Sequence, residues 1–309
     1  MKIAIIGPGA LGCLLGALLY EAGEDVRLVD YRPDRVALLG REGIRLRTPE
    51  GSRTIRAPIV LPQEAAPAAL TIVAVKAHQT RAAALDLRLL MASGGLALTL
   101  QNGLGNLEEM AREVGPQRLL AGVAFLGVTR PEEGRVILAG RGPIIIGTPA
   151  GSQVSPAELA GVVEVFQRGG LECRAQADIE SVLWEKLLVN VGLNPLTALL
   201  RVPNGALPEI KEAWTLAVAA AGEAQAVARA AGFNQDLDPE ARLRQVCAAT
   251  AANRSSMLQD VLAGRATEID ALNGQVSARG AALGVPTPVN DLLTRLLRAL
   301  GQAGTWRVS

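Results

Sequence analysis

Histidine is nearly absent from this chain: His78 is the only one in 309 residues. A multi-histidine zinc or iron centre is therefore excluded within one subunit, and no metal site is expected. A serine-histidine-aspartate triad would have to rest on His78 alone. Cysteine is scarce as well. Cys13, Cys173 and Cys247 are odd in number, far apart and form no Cys-x-x-Cys pair. They read as small core residues of a reduced, cytoplasmic protein. Aromatic residues make up 3%, and 31 Lys and Arg against 30 Asp and Glu leave a net charge of +1. Without a basic footprint or stacking platforms, no nucleic-acid partner is expected.

Long apolar runs are missing too, with one exception. Residues 3–20 form an uncharged run of 18 behind Lys2. Gly7, Pro8, Gly9, Gly12 and Gly16 interrupt it, so it reads as a buried strand, a glycine turn and a tightly packed helix. A membrane span or signal peptide is the poorer reading, and no membrane partner is expected. What the chain does have is apolar bulk: 49% hydrophobic and 20% charged residues mark a globular protein. Its length allows about two domains.

The first half alternates short apolar runs with amphipathic ones. Strands are predicted at 2–7, 26–30, 71–75 and 96–100, with a helix over 10–22. Near-continuous apolar strands between helices predict a doubly wound, mainly parallel sheet covered on both faces. Further strands between about 119 and 146 are expected to complete its edge. From about Asp178 strand-like runs disappear. Helical spacing then covers 178–200, 208–231, 239–251, 267–283 and 288–300, with prolines near the starts or between. The expected organisation is a Rossmann-type α/β domain over 1–175 and an all-α domain over 176–309.

Gly7-Pro8-Gly9-Ala10-Leu11-Gly12 fits Gly-x-Gly-x-x-Gly between the first strand and the first helix. The bare pattern is weak in a chain with 33 glycines, but this context is specific. Gly7 allows the tight turn, Gly9 lets backbone approach a pyrophosphate, and Gly12 lets helix and strand pack closely. The helix N-terminus adds amide donors and a favourable dipole. Asp30 ends the second strand, where a carboxylate can accept from ribose hydroxyls, or where it can simply form a turn. Arg32 and Arg35 stand beside it and could instead take a 2′-phosphate. Lys76 and Asn102 follow two later strands, on the ligand edge of such a sheet, where either could equally be a solvated loop residue. The Val-Ala-Val-Lys run ending at Lys76 looks like a kinase lysine motif, but the His-Arg-Asp and Asp-Phe-Gly partners are absent.

Lys186, Asn190 and Asn194 stand at i, i+4 and i+8, one polar stripe on an otherwise apolar helix. Such a stripe suits a closed cleft; the alternative is a set of buried amides bonding other helices. Pro195 directly afterwards is expected to kink or stop the helix. Beside a nicotinamide, a lysine can stabilise the charge that hydride transfer drives onto a carbonyl oxygen and then donate the proton. Thr267 with Asp270 reads as a capping box, with Glu268 in the first turn of the helix that follows.

GPGALG at 7–12, VAVKA at 73–77, QNG at 101–103, KLLVNVGLNP at 186–195, SSMLQD at 255–260 and TEIDALNG at 267–274 together resemble ketopantoate reductase. The resemblance runs in order along nearly the whole chain. It implies a Rossmann domain followed by a helical one, an active site in the cleft between them, and NADPH-dependent reduction of 2-dehydropantoate to (R)-pantoate. That reaction belongs to pantothenate and coenzyme A biosynthesis. Carried over by motif, Lys186 resembles the proton donor. Asn190, Asn194 and Ser256 resemble groups holding the substrate's hydroxyl and carboxylate. Asn102 and Lys76 resemble active-site residues near the cofactor, and Glu268 one contacting the cofactor or the lysine. Asn253 and Arg254 lie where the same loop begins. Many members carry Arg at the end of the second strand, suited to a 2′-phosphate, whereas this chain has Asp30-Tyr31 with Arg32 one position later. The resemblance favours NADP(H), and Asp30 leaves NAD(H) open.

The expected partner is a small 2-oxo acid, and a homodimer is admitted as an assembly. Two other functions stay open. One is a related 2- or 3-hydroxyacid dehydrogenase acting on another 2-oxo acid. The other is a nicotinamide-sensing regulator without turnover, for which the polar stripe has no use.

Overall fold

The computed structural model describes residues 1–233 and 236–303. The chain divides into two compact units. The first comprises Met1–Gln101 and Asn106–Ile179; the second comprises Asn102–Gly105 and the chain from Glu180 onward.

The first unit is built on an eight-stranded sheet. In chain order its opening elements are β1 (Lys2–Ile6), α1 (Ala10–Glu21), β2 (Asp25–Val29) and α2 (Pro33–Glu42). Then come β3 (Ile44–Thr48), β4 (Gly51–Ile55), β5 (Ile59–Val60), β6 (Ala68–Val73), α3 (Thr80–Leu90) and β7 (Met91–Thr99). The remainder is α4 (Asn106–Val114), β8 (Leu119–Ala124), β9 (Gly127–Glu132), β10 (Arg135–Gly140), β11 (Ile144–Gly147), α5 (Pro156–Arg168) and β12 (Cys173–Ala175).

The large sheet runs β12-β11-β8-β7-β6-β1-β2-β5 and is parallel except where β11 meets β8. Each face of β1 has its own core: Ile3 and Ile5 join one apolar cluster, Ala4 and Ile6 the other. This is why β1 reads as continuous apolar sequence. Because β2 and β6 flank β1 on opposite sides, the strand order reverses there. The residues just beyond the carboxyl end of β1 sit at the switch point where such sheets bind ligands.

The expected placement of the 119–146 strands needs correction. β8 and β11 do join the large sheet, but β9 and β10 form a second, four-stranded sheet with β3 and β4. The reason lies in side-chain alternation. Ile44, Leu46 and Thr48 of β3 are buried while Arg45 and Arg47 are exposed. A strand with one charged face cannot sit inside a sheet covered on both sides.

In the second unit α6 (Ile179–Leu200), α7 (Lys211–Ala230) and α8 (Pro239–Ala249) are followed by the short α9 (Ser256–Leu262), α10 (Asn273–Leu283) and α11 (Pro288–Ala303). Two apolar clusters fill it, and α6 feeds both. Trp184, Leu187 and Val191 enter one; Leu188, Leu193 and Leu196 enter the other. Pro239 and Pro288 open α8 and α11, the position where a missing N–H costs nothing.

Of the two expected effects of Pro195, the stop does not occur: α6 runs on to Leu200, as the helical spacing over 178–200 predicts. A proline inside a helix deprives the carbonyl four residues back of its donor, here that of Val191. The Asn273 carboxamide supplies one, donating to the Val191 carbonyl at 3.1 Å.

Candidate functional site

The glycine loop lies at the carboxyl end of β1. Gly7 has φ +95° and donates its N–H to the Val29 carbonyl at 3.0 Å. A Cβ at Gly7 would meet the Val75 side chain at 2.5 Å, and one at Gly12 would lie 2.1 Å from the Gly7 carbonyl oxygen. A Cβ at Gly9 would find nothing nearer than 4.0 Å. Two glycines are thus required by the protein's own packing, while the space over Gly9 is open. Gly9 also forms the N-cap of α1 without any side-chain bond, so no side chain competes for the first-turn amides of Ala10, Leu11 and Gly12. Pro8 is buried, and its carbonyl accepts from the Cys13 thiol at 3.2 Å. An open backbone cradle on a helix N-terminus fits a pyrophosphate.

At the end of β2, Asp30 is 2% exposed. Both its oxygens are engaged by Arg35, through Nε and through Nη2 at 2.9 Å, and it also accepts the Arg32 backbone N–H at 3.2 Å. Arg35 is therefore held in place by Asp30. Arg32, the N-cap of α2, extends further out, pairs with Asp34 and lies 3.5 Å from Glu133.

Lys76 is half-buried at the head of a short turn, Ala77–Gln79, and His78 in that turn is exposed. The Gln-Asn-Gly segment is divided. Gln101 belongs to the first unit, where its side chain donates to the Val75 carbonyl at 3.0 Å and to the Thr80 hydroxyl at 2.7 Å. Thr80 in turn donates to Asn106 at 2.8 Å. Sequence reasoning missed this buried network, whose only signal was polar residues directly after two apolar strands. Asn102 belongs to the second unit and is half-buried. Next to it, Gly103 has φ +83°, and a Cβ there would lie 2.2 Å from the Ala271 carbonyl oxygen. Leu104 donates to that same carbonyl at 3.0 Å. The loop carrying Asn102 is thereby held to the turn carrying Glu268.

On α6, Lys186 and Asn190 are half-buried, and Asn194 is 7% exposed. Burial pushes the Lys186 ammonium down to about 8, and the Glu268 carboxylate opposes that shift by favouring the charged form. Glu268 is itself 7% exposed. Its expected position in a helical first turn is not what forms. α10 begins only at Asn273, its N-cap Leu272 has no side-chain bond, and Thr267 and Asp270 make no capping box. Glu268 instead heads a run of tight turns in which its carbonyl accepts from Ala271 and Leu272, both at 3.1 Å. Asp270 faces outward and pairs with Arg298.

Ser255 and Ser256 part company. Ser255 is buried, caps α9 through a bond from the Leu258 amide, and receives the Thr197 hydroxyl at 2.8 Å. Ser256 is exposed at the first position of α9, as are Asn253 and Arg254 before it. The second unit thus carries Asn102, Lys186, Asn190, Asn194, Ser256 and Glu268. The first unit carries the glycine loop, Asp30, Arg32 and Lys76. Cys13, Cys173 and Cys247 are buried as expected, and burial pushes their thiols up to about 12, about 12 and about 11. No helix among the described residues is long and apolar enough to cross a membrane.

Two family models match: "Ketopantoate reductase PanE/ApbA" over residues 3–151 and "Ketopantoate reductase PanE/ApbA C terminal" over 178–301. The 2-dehydropantoate 2-reductase of Halobacterium salinarum is 36% identical over 306 residues, covering 98% of this chain and 100% of that protein. The crystal structure of 2-dehydropantoate 2-reductase from Geobacter metallireducens is similar with a TM-score of 0.89 at 33% identity, over 97% of this chain and 99% of that one. The ternary structure of D-mandelate dehydrogenase with NADH and anilino(oxo)acetate is similar with a TM-score of 0.91 at 26% identity, over 99% and 100%. The chain belongs to the ketopantoate reductase family of oxidoreductases.

Proposed function

We propose that this protein reduces 2-dehydropantoate to (R)-pantoate with NADPH, and that Lys186 is the proton donor. The observation that carries the reading is the pairing of a desolvated Lys186 ammonium, held at about 8, with the carboxylate of Glu268. An acid whose proton affinity lies near the working pH is suited to give up its proton during the reaction.

The dinucleotide would be held in the first unit, its pyrophosphate over Gly9 and the first-turn amides of α1. When bound, its nicotinamide supplies a hydride to the carbonyl carbon of the substrate. The Lys186 ammonium stabilises the charge that collects on the carbonyl oxygen and transfers one proton to it, leaving the alcohol and a neutral lysine. Glu268 keeps Lys186 protonated until that moment. Asn190 and Asn194, on the same face of α6, orient the substrate's hydroxyl and carboxylate without adding charge. Ser256 and Asn102 complete the polar groups offered to it.

NADPH is favoured over NADH because the Asp30 carboxylate is neutralised by Arg35, which removes most of its repulsion toward a 2′-phosphate. It also leaves Asp30 little capacity to accept from ribose hydroxyls. Arg32 remains to meet the phosphate.

A second reading is favoured by the likeness to D-mandelate dehydrogenase: reduction of another 2-oxo acid by the same groups. One experiment separates the two. Initial rates with 2-dehydropantoate and with phenylglyoxylate, each with NADPH and with NADH, should give the highest kcat/KM for 2-dehydropantoate with NADPH. A higher value for phenylglyoxylate supports the second reading, and no oxidation of either nucleotide overturns both.

A further inference from the structure

Glu133 lies outside every motif that points to the reaction. It occupies the turn between β9 and β10, in the smaller sheet, yet its carboxylate reaches the end of β2 in the larger one. It pairs with Arg130 on its own hairpin, lies 3.5 Å from an Arg32 guanidinium nitrogen, and lies 3.7 Å from one of Arg35. Arg35 is also bound on its other side by Asp30. Three arginines, 32, 35 and 130, therefore meet three carboxylates, 30, 34 and 133, and the cluster is neutral.

These carboxylates are not equivalent. Asp30 is buried and holds Arg35 in place; removing it would disturb the fold of the strand end. Asp34 is a neighbour of Arg32 in sequence and stands largely in solvent. Glu133 alone bridges Arg32 and Arg35 from a separate element, and it remains partly exposed. It occupies the electrostatic place that an incoming dianion on the ribose would claim.

We infer that Glu133 is a specificity-determining residue for the nucleotide, an internal counter-anion that a 2′-phosphate must displace from Arg32 and Arg35. The inference rests on reading the end of β2 as the ribose end of the dinucleotide site. Its consequence runs against simple intuition: the chain carries arginines suited to NADPH but tempers their advantage with its own carboxylate. Glu133→Gln keeps the shape of the turn and leaves one net positive charge facing the 2′ position. A carboxamide does not compete for a guanidinium as a carboxylate does.

The test is equilibrium binding to the full-length protein by calorimetry, with adenosine 2′,5′-bisphosphate and adenosine 5′-monophosphate as probes and no turnover involved. Glu133→Gln should tighten the bisphosphate by about threefold, the scale of half-exposed ion pairs, and the gain should shrink as salt is added. The monophosphate should change by less than about half that factor, because its phosphate lies away from the cluster. Normal binding of both probes with no gain for the bisphosphate, or an equal gain for both, overturns the inference alone. Weaker bisphosphate binding also overturns it, since Glu133 would then be aligning Arg32 for the phosphate. Failure of the unaltered protein to bind either probe overturns the dinucleotide reading, and the inference with it. Glu133→Ala serves as the second variant and should shift binding in the same direction.

Discussion

Asn273 repairs the helix that Pro195 interrupts. Its carboxamide donates to the Val191 carbonyl at 3.1 Å and to the Asn290 side chain at 2.9 Å, and Asn273 is fully buried. Asn290 passes the chain on to the Ala220 carbonyl and to Glu223, whose carboxylate also accepts the backbone amides of Val289 and Asn290. Two amides, Asn273 and Asn290, thus tie α6, α7, α10 and α11 together, one residue from Asn190. The bond predicts a specific coupling. Asn273→Ala should lower stability to urea by about 1–3 kcal/mol, since it orphans buried groups. Pro195→Ala restores an N–H able to serve Val191, so the cost of Asn273→Ala should be smaller by about 0.5 kcal/mol or more in that background. Strict additivity in the double-mutant cycle would show that the proline and the amide are unrelated.

The Lys186–Glu268 pair predicts a pH profile. In the proposed reaction Lys186 gives up its proton, so kcat should fall as pH rises through about 8. In Glu268→Gln the opposing carboxylate is gone, and the alkaline limb should move to lower pH. Lys186→Ala should cost a factor of about 100 or more in kcat with little change in nucleotide affinity. A limb unmoved in Glu268→Gln would remove Glu268 from the proton's management. Stability should follow the same group with the opposite sense. Lys186 holds its proton less well folded than unfolded, so its burial penalty is fully present below about 8 and relieved as pH rises from there toward the ordinary lysine value.

Asn194 should separate binding from folding. The Thr197 hydroxyl lies within hydrogen-bonding distance of the Asn194 backbone carbonyl, at 3.0 Å, and of the Ser255 hydroxyl, at 2.8 Å, so the backbone here is braced independently of the Asn194 side chain. Asn194→Ala should raise the KM for substrate more than that for the nucleotide. Ser256→Ala, at an exposed position, should do the same with no loss of thermal stability. If Asn194→Ala comes out insoluble or unfolded, its amide serves the helix bundle and not the substrate.

The parts legible in the sequence are those that repeat a local rule. β1, the glycine loop and α1 follow from apolar run, glycine spacing and helical pattern, and the Lys186 stripe follows from i+4 spacing. The parts that escaped depend on partners far along the chain. Pro195 points locally to a kink or a stop, and nothing local names Asn273 as the donor to the Val191 carbonyl. The capping-box reading of Thr267 and Asp270 failed because 268–274 is held by its own backbone turns and by the Leu104 bond to Ala271. The second sheet was missed, although the alternation of Ile44, Leu46 and Thr48 with Arg45 and Arg47 carries its signal, and it matters because it delivers Glu133 to Arg32 and Arg35. The place of Asp30 at the end of β2 is legible in the sequence, yet its engagement by Arg35 required knowing which way both side chains turn.

The glycine loop offers the cleanest separation of stability from binding. Gly9 has φ −77° and ψ −159°, a conformation alanine adopts without strain, and its added methyl would meet nothing within the protein nearer than 4.0 Å. Gly9→Ala should therefore leave thermal stability within about 0.5 kcal/mol of the parent. The same methyl would stand where a pyrophosphate approaches the backbone, so NADP(H) affinity should fall by about tenfold or more, some 1.4 kcal/mol. Gly12→Ala is the contrasting case. Its methyl would lie 2.1 Å from the Gly7 carbonyl oxygen, a backbone atom that cannot swing aside, so stability and binding should fall together. Calorimetric titration with NADP(H) beside thermal melts of both variants would distinguish them. Unchanged affinity in a stable Gly9→Ala protein would mean that no pyrophosphate lies over this loop, and the dinucleotide would have to be placed elsewhere.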